Sequence, residues 1–340
     1  MGGNPVEISA CRARQLRNRW RLFTVTLLLV IIAGAQVAPA QDEVAPEYAV
    51  KAPLATRSLK LDAAAADGAL VAVGARGHIL ISTDRGESWQ QVEVPTRAAL
   101  TGVFFHDRDL GWAVGHDSVI LRTTDGGATW ERVHWAPEEE SPLLDVWFAD
   151  AEHGFAIGAY GSFYVTSDGG DIWTYQPISD DDFHLNHLAR ATDGALYMAA
   201  EAGMAYRSDD GGETWTELSL PYEGSFFGTL PLEGENLLIF GLRGHLFRSQ
   251  DAGQSWIEVE TGTVAMLTDG IRLGDGTIII TGLGGVVLVS DDGGNSFGVH
   301  QQSNRRGISA VVEASDDSLL LVGGFGVRTL PVSELTSASD

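Results

Sequence analysis

Short apolar runs alternate with polar turns along most of this chain, and the alternation repeats. One unit shows the pattern. Leu100–Phe105 is an apolar run, Asp107–Leu110 a polar turn, and Gly111–Val114 a second apolar run. Val119–Thr123 and Trp130–Val133 follow, separated by a Gly-rich turn. Runs this short, rich in Val, Leu and aromatic residues and punctuated by Gly and Asp, predict β-strands joined by hairpins. Four such strands in about 40 residues make one blade of a propeller.

Two motifs fix the period. The first is S/T-x-D-x-G-x-S/T-W, the Asp-box. It occurs as Ser82–Trp89, Thr123–Trp130, Thr166–Trp173, Ser208–Trp215 and Ser249–Trp256, with Phe in the last place in Ser290–Phe297. Its aspartates are Asp84, Asp125, Asp168, Asp210, Asp251 and Asp292, spaced by 41, 43, 42, 41 and 41 residues. The second motif, G-x-x-G between two apolar runs, begins at Gly74, Gly115, Gly158, Ala200, Gly241, Gly282 and Gly323. It therefore counts seven units, the last without a box. Asp accepts hydrogen bonds from N–H groups of its own turn, Gly admits φ > 0, and Trp can lie over the turn. The six aspartates are accordingly expected to be structural, because one active site needs only one set of groups.

A unit of this size cannot bury both faces alone, so neighbours must stack. The expected fold is all-β: a seven-bladed β-propeller of four-stranded blades with Asp-box turns. The last unit supplies only three strands, and Tyr48–Leu54 is the candidate for its fourth, closing the ring with an N-terminal strand. The expected domains are a signal peptide at 1–40, the propeller at 41–332 and a polar C-terminal tail at 333–340. In the leader, Arg12, Arg14, Arg17, Arg19 and Arg21 precede the apolar core Leu22–Ala35, and Ala38-Pro39-Ala40 forms an A-x-A site. This is the pattern of a secretory signal. Leu22–Ala40 would also suit an uncleaved anchor, but Gln36 and Pro39 favour cleavage. The one cysteine, Cys11, lies ahead of the apolar core, so an exported mature chain would carry no disulfide, as suits a bacterial periplasm.

Charge narrows the partners. The full chain has a net charge of −24, and the segment after residue 40 a net charge of −28. Such a chain is a poor nucleic-acid binder. Against that background a basic cluster is of interest. Strand order places the G-x-x-G turns and the blade-to-blade loops on one face and the Asp-boxes on the other. The first face carries Arg76, Arg97, Arg243, Arg305 and Arg306, the candidate partner-binding residues. It also carries the acidic runs Glu138–Glu140 and Asp180–Asp182. Phe226-Phe227 is either an exposed anchor or the start of an inner strand. His184-x-x-His187 lacks supporting ligands, and no metal or other cofactor is expected.

The units V-G-x-x-G-x-[IV]-x-x-[ST]-x-D-G-G-x-[ST]-W, best seen in Ala113–Trp130 and Phe240–Trp256, resemble those of the bacterial and plastid photosystem II stability and assembly factor family. The resemblance covers nearly all of the chain after the leader. It implies a seven-bladed propeller in the periplasm, or in the thylakoid lumen of a photosynthetic host. It also implies an assembly or stability factor whose partner is an integral membrane protein or membrane complex, with an arginine-rich docking patch; a monomer without catalytic activity is expected. Arg76, Arg243, Arg305 and Arg306 are the position-matched residues. A host without photosynthesis would need another client. The Asp-box is shared with sialidases, so a glycan-binding or sialidase-like hydrolase is the alternative reading. Glu201, Asp117 and Tyr160 are its candidate groups, but the Arg-Ile-Pro motif of those enzymes does not occur in the chain.

Overall fold

The computed structural model describes residues 45–315 and 317–336. The expected leader at 1–40 lies outside the described residues. Seven antiparallel sheets follow one another along the chain, six with four strands and the last with three. In the unit used above, the strands are Leu100–Phe105, Gly111–Gly115, Ile120–Thr123 and Glu131–His134. Each innermost strand packs on the next, and Lys60–Ala66 of blade one packs on Ile308–Ser315 of blade seven, which closes the ring. The fold is a seven-bladed β-propeller.

The second strand of every blade is sandwiched between neighbouring blades. Gly111–Gly115, Gly154–Gly158, Leu196–Ala200, Leu237–Gly241 and Ile278–Gly282 are buried at every position. A strand covered on both faces reads as a continuous apolar run, which is why these segments do not alternate. The fourth strands are short and mostly exposed, down to two residues at Gln90–Gln91 and Thr216–Glu217.

The Asp-boxes form one repeated turn. In the first, the Ser88 N–H donates to Asp84 Oδ1 at 2.9 Å and the Ser82 hydroxyl to the same oxygen at 2.7 Å. The Gly86 N–H donates to Ser82 Oγ at 2.9 Å. The fifth position is glycine in all six boxes, with φ between 79° and 94°. Trp130 lies over its turn and donates Nε1–H to the Gly127 carbonyl at 2.9 Å. Hydrogen bonds from Ser88 and Ser82 hold the Asp84 carboxyl down to about 2, and their counterparts do the same for Asp210 and Asp251. These aspartates are turn-builders, as their once-per-blade spacing predicts.

Closure departs from the expected form. Tyr48–Leu54 adds no strand to blade seven. It lies on blade one instead: the Ala49 N–H donates to the Val94 carbonyl at 2.9 Å, and the Gln91 side-chain amide binds Ala52 N–H and the Val50 carbonyl. Those backbone groups are therefore spent on blade one, and Pro53 offers no N–H to a ladder. Blade seven keeps three strands, Ile308–Ser315, Ser318–Gly323 and Gly326–Pro331. The chain then crosses from blade one to blade seven through the single 3₁₀ turn Ala55–Arg57. A Cβ on Gly326 would lie 1.9 Å from the Thr56 carbonyl oxygen. Gly77, Gly203 and Gly244 meet the next blade-joining loop in the same way, at 2.2–2.3 Å. The N-terminal segment thus serves as the seventh blade-joining loop. After blade seven, Ser333–Thr336 forms one turn of helix, and Leu335 is buried among Leu273, Ile279 and Leu330.

Candidate docking face and central channel

The turn between second and third strands presents one residue per blade. The residue two places after the motif's first position is in the left-handed region in blades one to six: Arg76, Asp117, Tyr160, Ala202, Arg243 and Gly284, with φ between 55° and 69°. A non-glycine residue held there costs about 1–2 kcal/mol. Blade seven differs. Its turn is one residue shorter, with Gly323 paired directly to Gly326.

All five predicted arginines are exposed on this face. Arg76 and Arg97 are neighbours, because the Ala75–Gly77 turn abuts Thr96 and Arg97; a Cβ on Gly77 would lie 3.3 Å from Arg97 Cα. Arg305 and Arg306 lie against the Leu283–Gly285 turn of blade six. Arg243 stands on blade five, beside the Thr261–Val264 loop. Two of the five have internal duties. Arg97 donates to the Tyr48 carbonyl at 3.0 Å and pairs with Glu47 at 3.0 Å. Arg306 donates to the Gly324 carbonyl. The guanidinium groups of Arg76, Arg243 and Arg305 make no hydrogen bond or ion pair with another described residue.

Aromatic and acidic residues of the face divide similarly. Phe226 is fully buried and opens the inner strand Phe226–Pro231, so the anchor alternative fails for it. Tyr160 is 59 % exposed and meets His184 edge-on at 5.2 Å. Val264 is 86 % exposed at the loop beside Arg243. Glu139 accepts a 2.5 Å hydrogen bond from the Tyr164 hydroxyl, so part of the acidic run is structural. Glu201 lies 3.8 Å from His184 and accepts from its backbone N–H. Among the described residues, no three His, Cys, Asp or Glu side chains converge to hold a metal ion.

The central channel is lined by polar residues that neither repeated motif contains. Every innermost strand bulges by one residue near its start. The bulge turns extra side chains inward. The first paired residues beyond it are Asp62, Gly102, Asp145, His187, Gly228, Asp269 and Ala310. Asp62, Asp145, His187 and Asp269 line a central cavity of about 400 Å³. Each also binds the next blade. Asp62 accepts from Val103 N–H, Asp145 from Leu188 N–H and Asp269 from Val311 N–H, all at 2.8 Å. His187 Nδ1 accepts from Thr229 N–H at 3.3 Å. Residues within the bulges add reverse bonds: Thr101, Asn186 and Thr268 donate to the carbonyls of Leu143, Phe226 and Ile308. Aligning the repeats at this position would have exposed the ring of polar residues; no single motif marks it.

A second overlooked residue sits at the closure. Lys60 is 0 % exposed at the position that the other blades fill with Leu100, Leu143, Leu185, Phe226, Leu267 and Ile308. Its ammonium donates to the Ala55 carbonyl and to Ser58 Oγ, both at 2.9 Å, and among the described residues no carboxylate pairs with it. Burial lowers its pKa to about 8.

A closed ring of seven stacked blades, with Asp-box turns on one face and varied loops on the other, defines an Asp-box β-propeller. More particularly, the chain belongs to the photosynthesis system II assembly factor YCF48 family, whose model matches residues 81–141 and 133–329. It is 42 % identical over 130 residues to the photosystem II assembly protein Ycf48 of a Synechococcus species, covering 37 % of this chain and 39 % of that protein. It is 44 % identical over 66 residues to the chloroplastic photosystem II stability/assembly factor HCF136 of Cyanidioschyzon merolae, covering 19 % of this chain and 14 % of that protein. These alignments span well under two thirds of the relatives' own lengths. Among solved structures, YCF48 bound to D1 peptide matches 86 % of this chain and 96 % of that one, with a TM-score of 0.66 at 19 % identity. YCF48 from Cyanidioschyzon merolae matches 84 % and 98 %, with a TM-score of 0.64 at 18 % identity. At these identities the likeness concerns the fold.

Proposed function

We propose that this chain is an exported, non-catalytic docking propeller that assists assembly or stability of a membrane protein complex. The observation that carries the reading is the family match across most of the ring. Its setting would be the periplasm, or the thylakoid lumen in a photosynthetic host. The working surface in this reading is the loop face, with the arginines at 76, 97, 243, 305 and 306. A guanidinium matches a carboxylate bidentately, so the partner element is an acidic segment of an integral membrane protein. On a chain of net charge −24, exposed arginines without internal partners are where such a segment would dock. Arg76, Arg243 and Arg305 carry that role. Arg97 and Arg306 contribute less, since their guanidinium groups already serve the fold. That a YCF48 protein has been solved with D1 peptide supports a peptide-binding role in this fold.

The test is crosslinking of the tagged chain in its own host, mild detergent extraction and identification of what co-purifies. A reproducible integral-membrane partner is expected. Arg243→Glu combined with Arg305→Glu should reduce its recovery at least ~10-fold, a loss of about 1.4 kcal/mol or more. The melting temperature should stay within ~2 °C of wild type. Full recovery of the partner with the double variant would reject the arginine surface. Absence of any membrane partner would reject the assembly role.

A further inference from the structure

The channel carboxylates are not used by the docking face and are too regular to be incidental. Asp62, Asp145 and Asp269 occupy one repeated position and look into one cavity. Each anchors the same two kinds of donor. One oxygen takes the N–H of the following residue: Ala63 and Val146 at 2.8 Å, Gly270 at 2.7 Å. The other takes an N–H from the adjacent blade. Among the described residues, none has a lysine or arginine as ion-pair partner. Three carboxylates therefore line one central cavity, and among the described residues His187 is the one basic side chain that lines it with them.

We propose that Asp62, Asp145 and Asp269 form a proton-binding ring in the propeller channel, so that acidification tightens the closed fold. Carboxylates that share a site resist simultaneous ionisation, and a proton taken up by one relieves the others. Burial pushes the Asp62 carboxyl well above the usual range, and the charges of Asp269 and Asp145 push it further, against the pull of the Val103 and Ala63 N–H groups. Burial also raises Asp145 and Asp269, opposed by His187 and their backbone donors.

Around Asp62 itself, no described basic group offsets the neighbouring carboxylates. His187 faces the same cavity, with Nδ1 engaged as an acceptor from Thr229. Lys60, two residues before Asp62, turns its ammonium to Ala55 and Ser58. The packed strands Leu100–Phe105 and Ala69–Gly74 contain no ionisable side chain. Ile308–Ser315 carries Glu313, which lines a separate surface cleft with Asp84 and Arg85.

The sign follows from linkage. With the folded pKa above the unfolded one, the folded state binds more protons, so stability rises as pH falls through the folded value and levels off below the unfolded one. The chain's large negative charge produces a similar trend by general repulsion, so the test needs a matched control. Asp291 is exposed and makes no side-chain hydrogen bond in the structure. Melting temperatures of the wild type, Asp62→Asn and Asp291→Asn would be compared between about pH 8 and about pH 5. The expected result is that Asp62→Asn gains less on acidification than Asp291→Asn, by ~3 °C or more. Equal gains in the two variants would overturn the proposal. Should Asp62→Asn fail to fold, carbon-13 NMR of the wild-type aspartate carboxyls decides. At least one resonance titrating well above the exposed aspartates supports the ring, and all titrating together overturns it.

Discussion

At the scale of single residues, the repeated turns show where backbone geometry decides identity. The fourth Asp-box position is left-handed in every box where it is defined by Gly126, Gly169, Gly211 and Gly293, with φ of 71–74°. Arg85 and Ala252 adopt the same geometry, at 59° and 56°. An L side chain there is strained by about 1–2 kcal/mol, partly offset by the greater unfolded-state entropy of glycine. Ala252→Gly should therefore stabilise the protein by ~0.5–1 kcal/mol, read as an increased denaturant midpoint with unchanged slope. An unchanged or lowered midpoint would show that blade five tolerates this conformation without cost. Arg76 and Arg243 share the geometry but differ in purpose, since their side chains point to solvent and satisfy nothing in the fold. The Asp-box and the G-x-x-G glycines were legible in the sequence because each encodes its own turn. The left-handed arginines were legible only as charges on the correct face; which of them were free depended on the contacts of Arg97 and Arg306.

At the scale of elements, the strands of blade two could be placed within a residue or so from the apolar runs alone. Every repeated unit has the same tertiary surroundings, so local pattern and final structure agree. The N-terminal segment has no repeat to guide it. Tyr48–Leu54 has strand-like composition, yet its hydrogen bonds go to Gln91 and Val94 rather than to blade seven. Lys60 belongs to this exception. Its partners, the Ala55 carbonyl and the Ser58 hydroxyl, exist only where the chain enters the ring, and the Ser58 N–H and hydroxyl also satisfy Ala55. A buried ammonium without a carboxylate is expensive, and its neighbours can spare it. Lys60→Leu restores the residue type of the other blades. It should raise stability near neutral pH by about 1 kcal/mol, with partial cancellation from overpacking and lost hydrogen bonds. The pH dependence has a definite sign. The folded pKa is about 8 against 10.5 for a free lysine. The penalty is thus present below the folded value and is relieved as pH rises toward the unfolded one. Wild-type stability should gain a rising component across that window, and Lys60→Leu should lack it. Parallel urea-midpoint curves for the two proteins across that range would show that Lys60 carries no such penalty.

At the scale of the whole molecule, the question is what keeps seven similar blades in one ring. Five of the seven junctions are stitched at the channel by side-chain bonds to the neighbouring inner strand: one to two by Asp62, two to three by Thr101, three to four by Asp145, four to five by Asn186 and His187, and six to seven by Thr268 and Asp269. At the junction of blade seven with blade one, Ser309 and Ala310 occupy the corresponding places, and closure falls to packing of the inner strands and to the entry turn seated on Gly326. That makes Gly326 and Gly284 an informative pair. Both have positive φ, 94° and 69°, so alanine strains the backbone at each. A Cβ at Gly284 meets nothing within 4 Å, whereas one at Gly326 would strike the Thr56 carbonyl and the Arg57 backbone. Gly284→Ala should cost about 1–2 kcal/mol, the conformational term alone. Gly326→Ala should cost at least ~2 kcal/mol more, because the turn must lift off the ring. Thermal unfolding measures both totals, and hydrogen exchange gives the location. Protection should fall at the closure in Gly326→Ala, around Thr56, Lys60 and the blade-seven strands, and only near blade six in Gly284→Ala. Equal costs with equal exchange patterns would mean that the N-terminal turn is an ornament on a ring already closed by its inner strands.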